Sequence, residues 1–358
     1  MLRSDRRDPQ MKKSCRPEVR DRLSQFLFDR SKNMSASHLK FGIAMAFAIL
    51  SAPIASAQEA PNADEMAALC HGGRSICMSA TIPAARTQAV QGWMSPDVGA
   101  AWAAGYKGKG VTITVIDDFS SSSRFSGNFG IGVQYQRHGE WTREEAGMIA
   151  PSATIRSKDF TSGTAVNLAN GLNVLNLSYG MYAAQGYSVN QIGWSAEEAS
   201  IISYATKGSA VVSKAAGNDS IAVGGITNGQ QDYLDMALVG KASAIFVGAL
   251  ATNGTTAIPA QLAWYSNYAG SNPLVQSHFL VVGVDGSKTG LYGTSFAAPI
   301  ISGYAAIIGS KFTKATPTQI TNDLLNTART DTLVNYSASV YGKGEASLSR
   351  ALAPVAIR

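Results

Sequence analysis

From Trp93 onward, short β-branched and apolar runs alternate with stretches of helical spacing. A strand covered on both faces reads as an unbroken apolar run, and parallel neighbours need a crossover between them. The alternation therefore predicts an α/β fold, a doubly wound, mostly parallel sheet with helices on both faces. Val111-Thr112-Ile113-Thr114-Val115-Ile116 follows the turn Gly108-Lys109-Gly110 and is the first strand. Further strands are expected at 173–178, 210–215, 244–250 and 279–284, each short and apolar. Residues 194–207 set Ala199, Ile202 and Ala205 at helical spacing, with Gly208 placed to end the helix, which completes a βαβ unit. With 358 residues, 45% of them hydrophobic and 15% charged, the chain can bury a sizeable core and is too apolar to be disordered. Residues 93–358 read as a single domain.

The chain ahead of that domain divides into three pieces. Ser37-His38-Leu39-Lys40 precedes an apolar run at 41–50, and the small residues Ala55-Ser56-Ala57 follow, which is the shape of a secretory signal cleaved after Ala57. The run is shorter than the ~20 residues needed to span a bilayer, so no stable membrane anchor is expected after processing. Met34 stands just ahead of Lys40. Residues 34–57 thus read as the signal peptide, residues 1–33 as an upstream segment, and residues 58–92 as an N-terminal extension. The product is expected to be exported, in the periplasm or the medium. Cys70 and Cys77 close a short loop in the exported part, where an oxidising compartment favours a disulfide between them. A metal site on the same loop, using His71 as well, has three ligands and lacks a fourth, so no metal is expected.

Charge narrows the partners. Residues 1–33 hold ten Lys and Arg against five Asp and Glu, residues 34–57 add only Lys40, and the remainder holds nineteen of each sign, so the net charge of +6 belongs to the leader. The body has no basic footprint for nucleic acid. Cofactor signatures fail as well. Gly108 and Gly110 precede the first strand, whereas a dinucleotide fingerprint needs its glycines after it. Gly286-Ser287-Lys288-Thr289 lacks the glycine spacing of a phosphate loop and reads as a turn.

Four polar residues remain at strand ends and at one helix start, where an open α/β sheet places its chemistry. Asp117 ends the first strand, and a carboxylate there is placed to orient an imidazole; taken alone it reads equally as a solvated turn acid. His138, in Arg137-His138-Gly139, precedes a stretch of helix formers that ends at Pro151, and the exported part holds only two other histidines, His71 and His278. Asn218, in Ala215-Ala216-Gly217-Asn218, follows a strand directly, where a side-chain amide can donate to an oxyanion or simply make a turn. Ser295, in Gly293-Thr294-Ser295-Phe296-Ala297-Ala298-Pro299, opens a long small-and-apolar run that predicts a buried helix, whose first turn favours developing negative charge. An N-cap serine is the plainer use of such a residue.

The order and local sequence of these segments resemble the subtilisin-like serine peptidases across nearly all of residues 100–352. The resemblance is carried by the run from Gly108 to Asp117, by His138-Gly139, by Asn176-Leu177-Ser178-Tyr179-Gly180, by Ala215-Ala216-Gly217-Asn218 and, most specifically, by Gly293-Thr294-Ser295-Phe296-Ala297-Ala298-Pro299. It implies an Asp117-His138-Ser295 triad with Asn218 as oxyanion donor, and polypeptide substrates lying between Ser178, Tyr179 and Gly180 on one side and Ala215, Ala216 and Gly217 on the other. The small residues of the second wall imply room for a sizeable apolar side chain. No cofactor is implied. Calcium is common in the family, but no acidic cluster in this chain has recognisable ligand spacing. A soluble monomer is expected, since no succession of alternating strands suggests a membrane barrel.

This chain departs from the family pattern at three places, one being the exported stretch before Trp93, which at about 35 residues is shorter than the folding-assisting prodomain of many relatives. Asp118 stands beside Asp117 as a second carboxylate, with Val115-Ile116 aligning Asp117. Glu140, Trp141, Arg143, Glu144 and Glu145 follow His138-Gly139 where the family has small residues, which predicts a more exposed helix. Two other readings stay open: an α/β-hydrolase esterase built on Ser178 with His278, and a catalytically silent peptide-binding protein on the same fold.

Overall fold

Apolar runs that propagate as strands need partners on both edges, and five of the six strands in the central sheet begin within two residues of where the β-branched pattern predicts. The computed structural model describes residues 12–14 and 89–357. The signal peptide 34–57, most of the 58–92 extension, His71 and the Cys70 and Cys77 pair lie outside the described residues. Strands run in chain order as β1 (Lys12–Ser14), β2 (Val111–Asp117), β3 (Phe125–Gly127), β4 (Gln134–Gln136), β5 (Thr154–Asp159), β6 (Leu172–Leu177), β7 (Gly180–Ala184), β8 (Val211–Ala215), β9 (Ile226–Thr227), β10 (Gln230–Asp232), β11 (Ala244–Leu250) and β12 (Phe279–Gly283). Six of them form the central sheet, in the order β12-β11-β8-β6-β2-β5. Every pairing in it is parallel. The strand the sequence reading missed is β5, whose Thr, Arg, Ser and Lys side chains suit an edge and conceal its period.

The first of these six strands lies inside the sheet, between the second and the third, so the chain order reverses between β2 and β6. Such a reversal opens a crevice beyond the carboxyl ends of the strands, the position at which an open α/β sheet offers a site.

Helices close both faces. They are α1 (Pro96–Ala103), α2 (His138–Ile149), α3 (Ala196–Lys207), α4 (Tyr233–Leu238), α5 (Ala298–Lys311) and α6 (Pro317–Asn326). On one face α2 and α5 pack against each other and on β2. They bury Ile113, Val115, Trp141, Ile149, Ile301 and Tyr304 in one core. On the other face Ile201 and Ala205 of α3 cover Leu175, Leu177, Val212 and Phe246. Each such apolar side chain contributes roughly 1.5–3 kcal/mol through burial. The expected helix at 194–207 begins at Ala196, because Ser195 caps it by accepting from Glu197 N at 3.1 Å. Gly208 ends it in the left-handed region, at φ 66°. Residues 286–289, read as a turn, make a single helical turn.

One expectation needs correction. The helix after His138 is not more exposed: Gly139, Trp141, Thr142, Glu145, Ala146 and Ile149 are buried. Glu140, Arg143 and Glu144 lie between those positions, so a helical period turns these three charges outward while Glu145 stays on the inner face. The upstream segment also contributes to the fold. Lys12–Ser14 pairs antiparallel with β7, Lys12 opposite Tyr182 and Ser14 opposite Gly180, in a second sheet of order β1-β7-β10-β9.

Candidate active site

Asp117 is the last residue of β2 and is fully buried. A buried carboxylate must be hydrogen-bonded, and three donors meet this one. His138 Nδ1 lies 2.6 Å and Asp118 N 2.7 Å from its Oδ1, and Thr142 Oγ1 donates to Oδ2 at 2.9 Å. Asp118 faces away, its carboxylate accepting from Ser120 N, Ser121 N and the Ser121 hydroxyl, so the two adjacent acids do not compete for the imidazole.

His138 reaches this position because it is the first residue of α2. Arg137 N donates to Glu140 Oε2 at 2.8 Å and the Arg137 guanidinium pairs with Glu140 Oε1 at 2.8 Å, which closes the helix start. Those contacts hold the Glu140 carboxyl below its ordinary range. Gly139 N donates to Asp118 O at 3.0 Å, and a Cβ on Gly139 would stand 2.6 Å from that same oxygen. Only glycine lets the helix start sit so close to the strand end. Phe125 and Phe296 flank the imidazole, with ring centroids 6.2 and 5.9 Å away.

Phe296 follows Ser295 in the short 3₁₀ turn Thr294–Phe296 that leads into α5. Ser295 therefore stands one turn ahead of the α-helix rather than within it. The same turn is tied to the segment after β8. Thr294 N and Thr294 Oγ1 both donate to Asn218 Oδ1, at 2.8 and 3.0 Å, and Gly217 N donates to Thr294 Oγ1 at 3.0 Å. Two donors on Oδ1 fix the amide orientation, and Asn218 and Ser295 line the same cleft. Ser178, just past β6, donates its hydroxyl to Ser295 O at 2.9 Å, and Ser295 Oγ lies 3.3 Å from Ser178 O.

The two expected walls face each other across an open cleft of about 360 Å³, with Ser178, Tyr179 and Gly180 on one side, Ala215 and Gly217 on the other, and Ser295 on its lining. Tyr179 presents backbone there, because its side chain is buried, edge-on to Phe160 at 5.4 Å. Burial and the neighbouring Glu198 charge push the Tyr179 phenol well up. Ala216 is set behind the wall, fully buried, its carbonyl accepting from Asn267 Nδ2 at 2.8 Å. The expectation of an apolar pocket also needs revision, because Lys214 and Tyr182 line the same cleft. The Lys214 ammonium is buried 3.2 Å from Asp232 and 2.9 Å from Asp235. Burial works to lower its pKa, but the two carboxylates outweigh that and raise it. Asp235 is pushed up to about 7 by burial and by the Asp232 charge.

Sequence reasoning missed Lys214, which follows Ser213 in a strand otherwise of Val and Ala, and Thr142. It also missed Asn176 and Ser302, which link β6 to α5 at 3.2 Å behind the Thr294–Phe296 turn. An asparagine inside an apolar strand and a lysine beside Ala215 were the available signals. His278 does not join the site. It precedes β12, at the opposite end of a parallel sheet from Ser178, and its Nδ1 faces Ser277 Oγ at 3.0 Å and Leu274 O at 3.2 Å. That separation removes the esterase arrangement. Among the described residues no group of three or more His, Cys, Asp or Glu is placed to hold a metal ion, and no helix is long and apolar enough to cross a membrane.

No curated protein sequence matches this chain. Among solved structures it is similar to the prenylagaramide maturation protease PagA, at 18% identity and TM-score 0.48, over 72% of this chain and 98% of that one. A protease from Pseudoalteromonas arctica PAMC 21717 follows at 18% identity and TM-score 0.45, over 75% and 95%. A cold-adapted subtilisin-like serine proteinase matches at 17% identity and TM-score 0.42, over 68% and 88%. The model of the Subtilase family, Peptidase_S8, matches residues 152–344, more than half of the chain and a stretch that contains both Asn218 and Ser295. The chain belongs to the subtilase family and is a serine endopeptidase.

Proposed function

We propose that this peptidase is an exported enzyme that works through Ser295, His138 and Asp117, with Asn218 as oxyanion donor, on extended polypeptide substrates. Ser295 Oγ attacks the scissile carbonyl carbon while His138 Nε2 takes its proton. The oxyanion so formed accepts hydrogen bonds from Asn218 Nδ2 and from the backbone N–H of Ser295. Collapse of the tetrahedral intermediate breaks the C–N bond, His138 returns the proton to the leaving amine, and an acyl-enzyme ester remains on Ser295. Water, deprotonated by the same imidazole, then releases the acid. Asp117 acts throughout by accepting Nδ1–H, which leaves Nε2 as the basic nitrogen.

The observation that carries this reading is the 2.6 Å contact between Asp117 Oδ1 and His138 Nδ1, groups 21 residues apart in the chain that meet at the carboxyl ends of the strands. The β7 edge supports the substrate mode, since Gly180, Met181 and Tyr182 already take an antiparallel strand. The leader at 34–57 supports export, and the Cys70 and Cys77 loop supports a disulfide in the extension ahead of a monomeric domain at 93–358. Incubating the purified full chain with a denatured polypeptide tests the proposal. Cleavage abolished by Ser295→Ala supports it. Cleavage that survives Ser295→Ala moves the chemistry elsewhere, and no cleavage by the unmodified chain favours a groove that binds without cutting.

A further inference from the structure

A carboxylate that orients an imidazole must itself be held against rotation about its Cβ–Cγ bond, and both atoms of Asp117 that contact His138 and Asp118 are the same oxygen, Oδ1. A contact on the second oxygen holds the plane as well as the pivot. The second oxygen has Thr142 Oγ1 at 2.9 Å. The Thr142 side chain is fully buried, and its hydroxyl carries one proton. The alternative acceptor is Gly139 O at 3.3 Å, three residues back in the same helix, the usual target of a helical threonine. A charged acceptor at the shorter distance wins that proton over a neutral carbonyl already beyond the ordinary range.

Position along the helix matters as much as the contact. Thr142 stands four residues after His138, one turn further along the same face of α2, so the imidazole and the hydroxyl are carried by one rigid element. Any shift of α2 relative to β2 moves both together against the same carboxylate. We infer that Thr142 is a positioning residue of the active site: it clamps the plane of the Asp117 carboxylate from the helix that bears His138. The inference rests on the triad reading above. It assigns to the charged, family-unlike helix after His138-Gly139 a part in catalysis through a residue that touches no substrate.

The test compares Thr142→Val, which keeps shape and loses the hydroxyl, with Thr142→Ser, which keeps the hydroxyl and loses the methyl, in the full-length enzyme. Thr142→Val should lower kcat roughly ten- to hundredfold with KM within about twofold, the span of a hydrogen bond to a charged group. Thr142→Ser should restore kcat to within about threefold. The low-field proton resonance of His138 Nδ1–H should move in Thr142→Val and return in Thr142→Ser. Unchanged kcat in Thr142→Val, an equal loss in both variants, or an unmoved resonance overturns the clamp. His138→Ala separates the two claims: if it is inactive while Thr142→Val is normal, only the clamp fails, and if both are active, the triad reading fails as well.

Discussion

Gly303 of α5 lies so close to Ile149 of α2 that a Cβ on the glycine would stand 2.3 Å from Ile149 Cγ2. α2 begins at His138 and α5 follows the turn with Ser295, so this contact, at the last residue of α2 and within the first half of α5, fixes how closely the two helices pack. Gly303→Ala should therefore lower stability by about 1–3 kcal/mol despite the better helix propensity of alanine. Trimming the opposing side chain, in Gly303→Ala with Ile149→Val, should recover part of the loss. Thermal melts of the two proteins check this, and an equal or higher melting temperature for Gly303→Ala alone contradicts the close approach.

Asn218 accepts from Thr294 through Oδ1 and lines the cleft, where its amide N–H is the proposed oxyanion donor. Asn218→Asp keeps the acceptor and removes the donor. Its kcat on a peptide ester should fall about a hundred- to thousandfold, the usual cost of one oxyanion donor, with KM little changed. A loss confined to KM would mean that Asn218 binds substrate in the ground state instead.

Glu145 is buried and its Oε2 has no hydrogen-bond partner among the described residues. Burial raises its carboxyl well above the ordinary 4.5. A carboxyl raised in the folded state contributes fully below the unfolded value and loses that contribution as pH climbs toward the folded one. Glu145→Gln carries no such proton, so its stability relative to the unmodified protein should improve steadily from pH 4 to pH 7. Parallel denaturant titrations at the two pH values measure it.

The same sign applies to Asp235, whose carboxyl rises from 3.8 to about 7 beneath the cleft wall. Its contribution should decline between about pH 4 and pH 7 as the proton is lost, leaving two carboxylates around the single Lys214 ammonium. Melting temperatures of Asp235→Asn and the unmodified protein, compared at pH 5 and pH 8, should differ in favour of the variant at the higher pH. A difference that runs the other way would show that burial does not raise the Asp235 carboxyl in the folded protein.

Much of the frame was legible because its signals are local. The β-branched run ending in Asp117 forms β2, Gly208 ends α3 where expected, and the small apolar run after Ser295 forms the buried helix α5. Thr142 and Lys214 were not legible for a common reason. Each is polar within a segment whose period assigns it only to a helix or a strand, and its partner lies in a distant part of the chain. Lys214 is neutralised by Asp232 and Asp235, which stand on a hairpin strand and the short helix after it. The exposure expected of α2 failed because charge content was weighed without helical phase. Once the phase is drawn, Trp141, Thr142 and Glu145 fall on the inner face.

Covalent labelling tests the central claim most directly, since only an activated serine attacks a fluorophosphonate at neutral pH. Mass spectrometry of the labelled, digested protein should place the adduct on Ser295, with labelling abolished by Ser295→Ala and slowed at least a thousandfold by His138→Ala. An adduct on Ser178, or a folded protein that takes up no label, would contradict a triad of Asp117, His138 and Ser295.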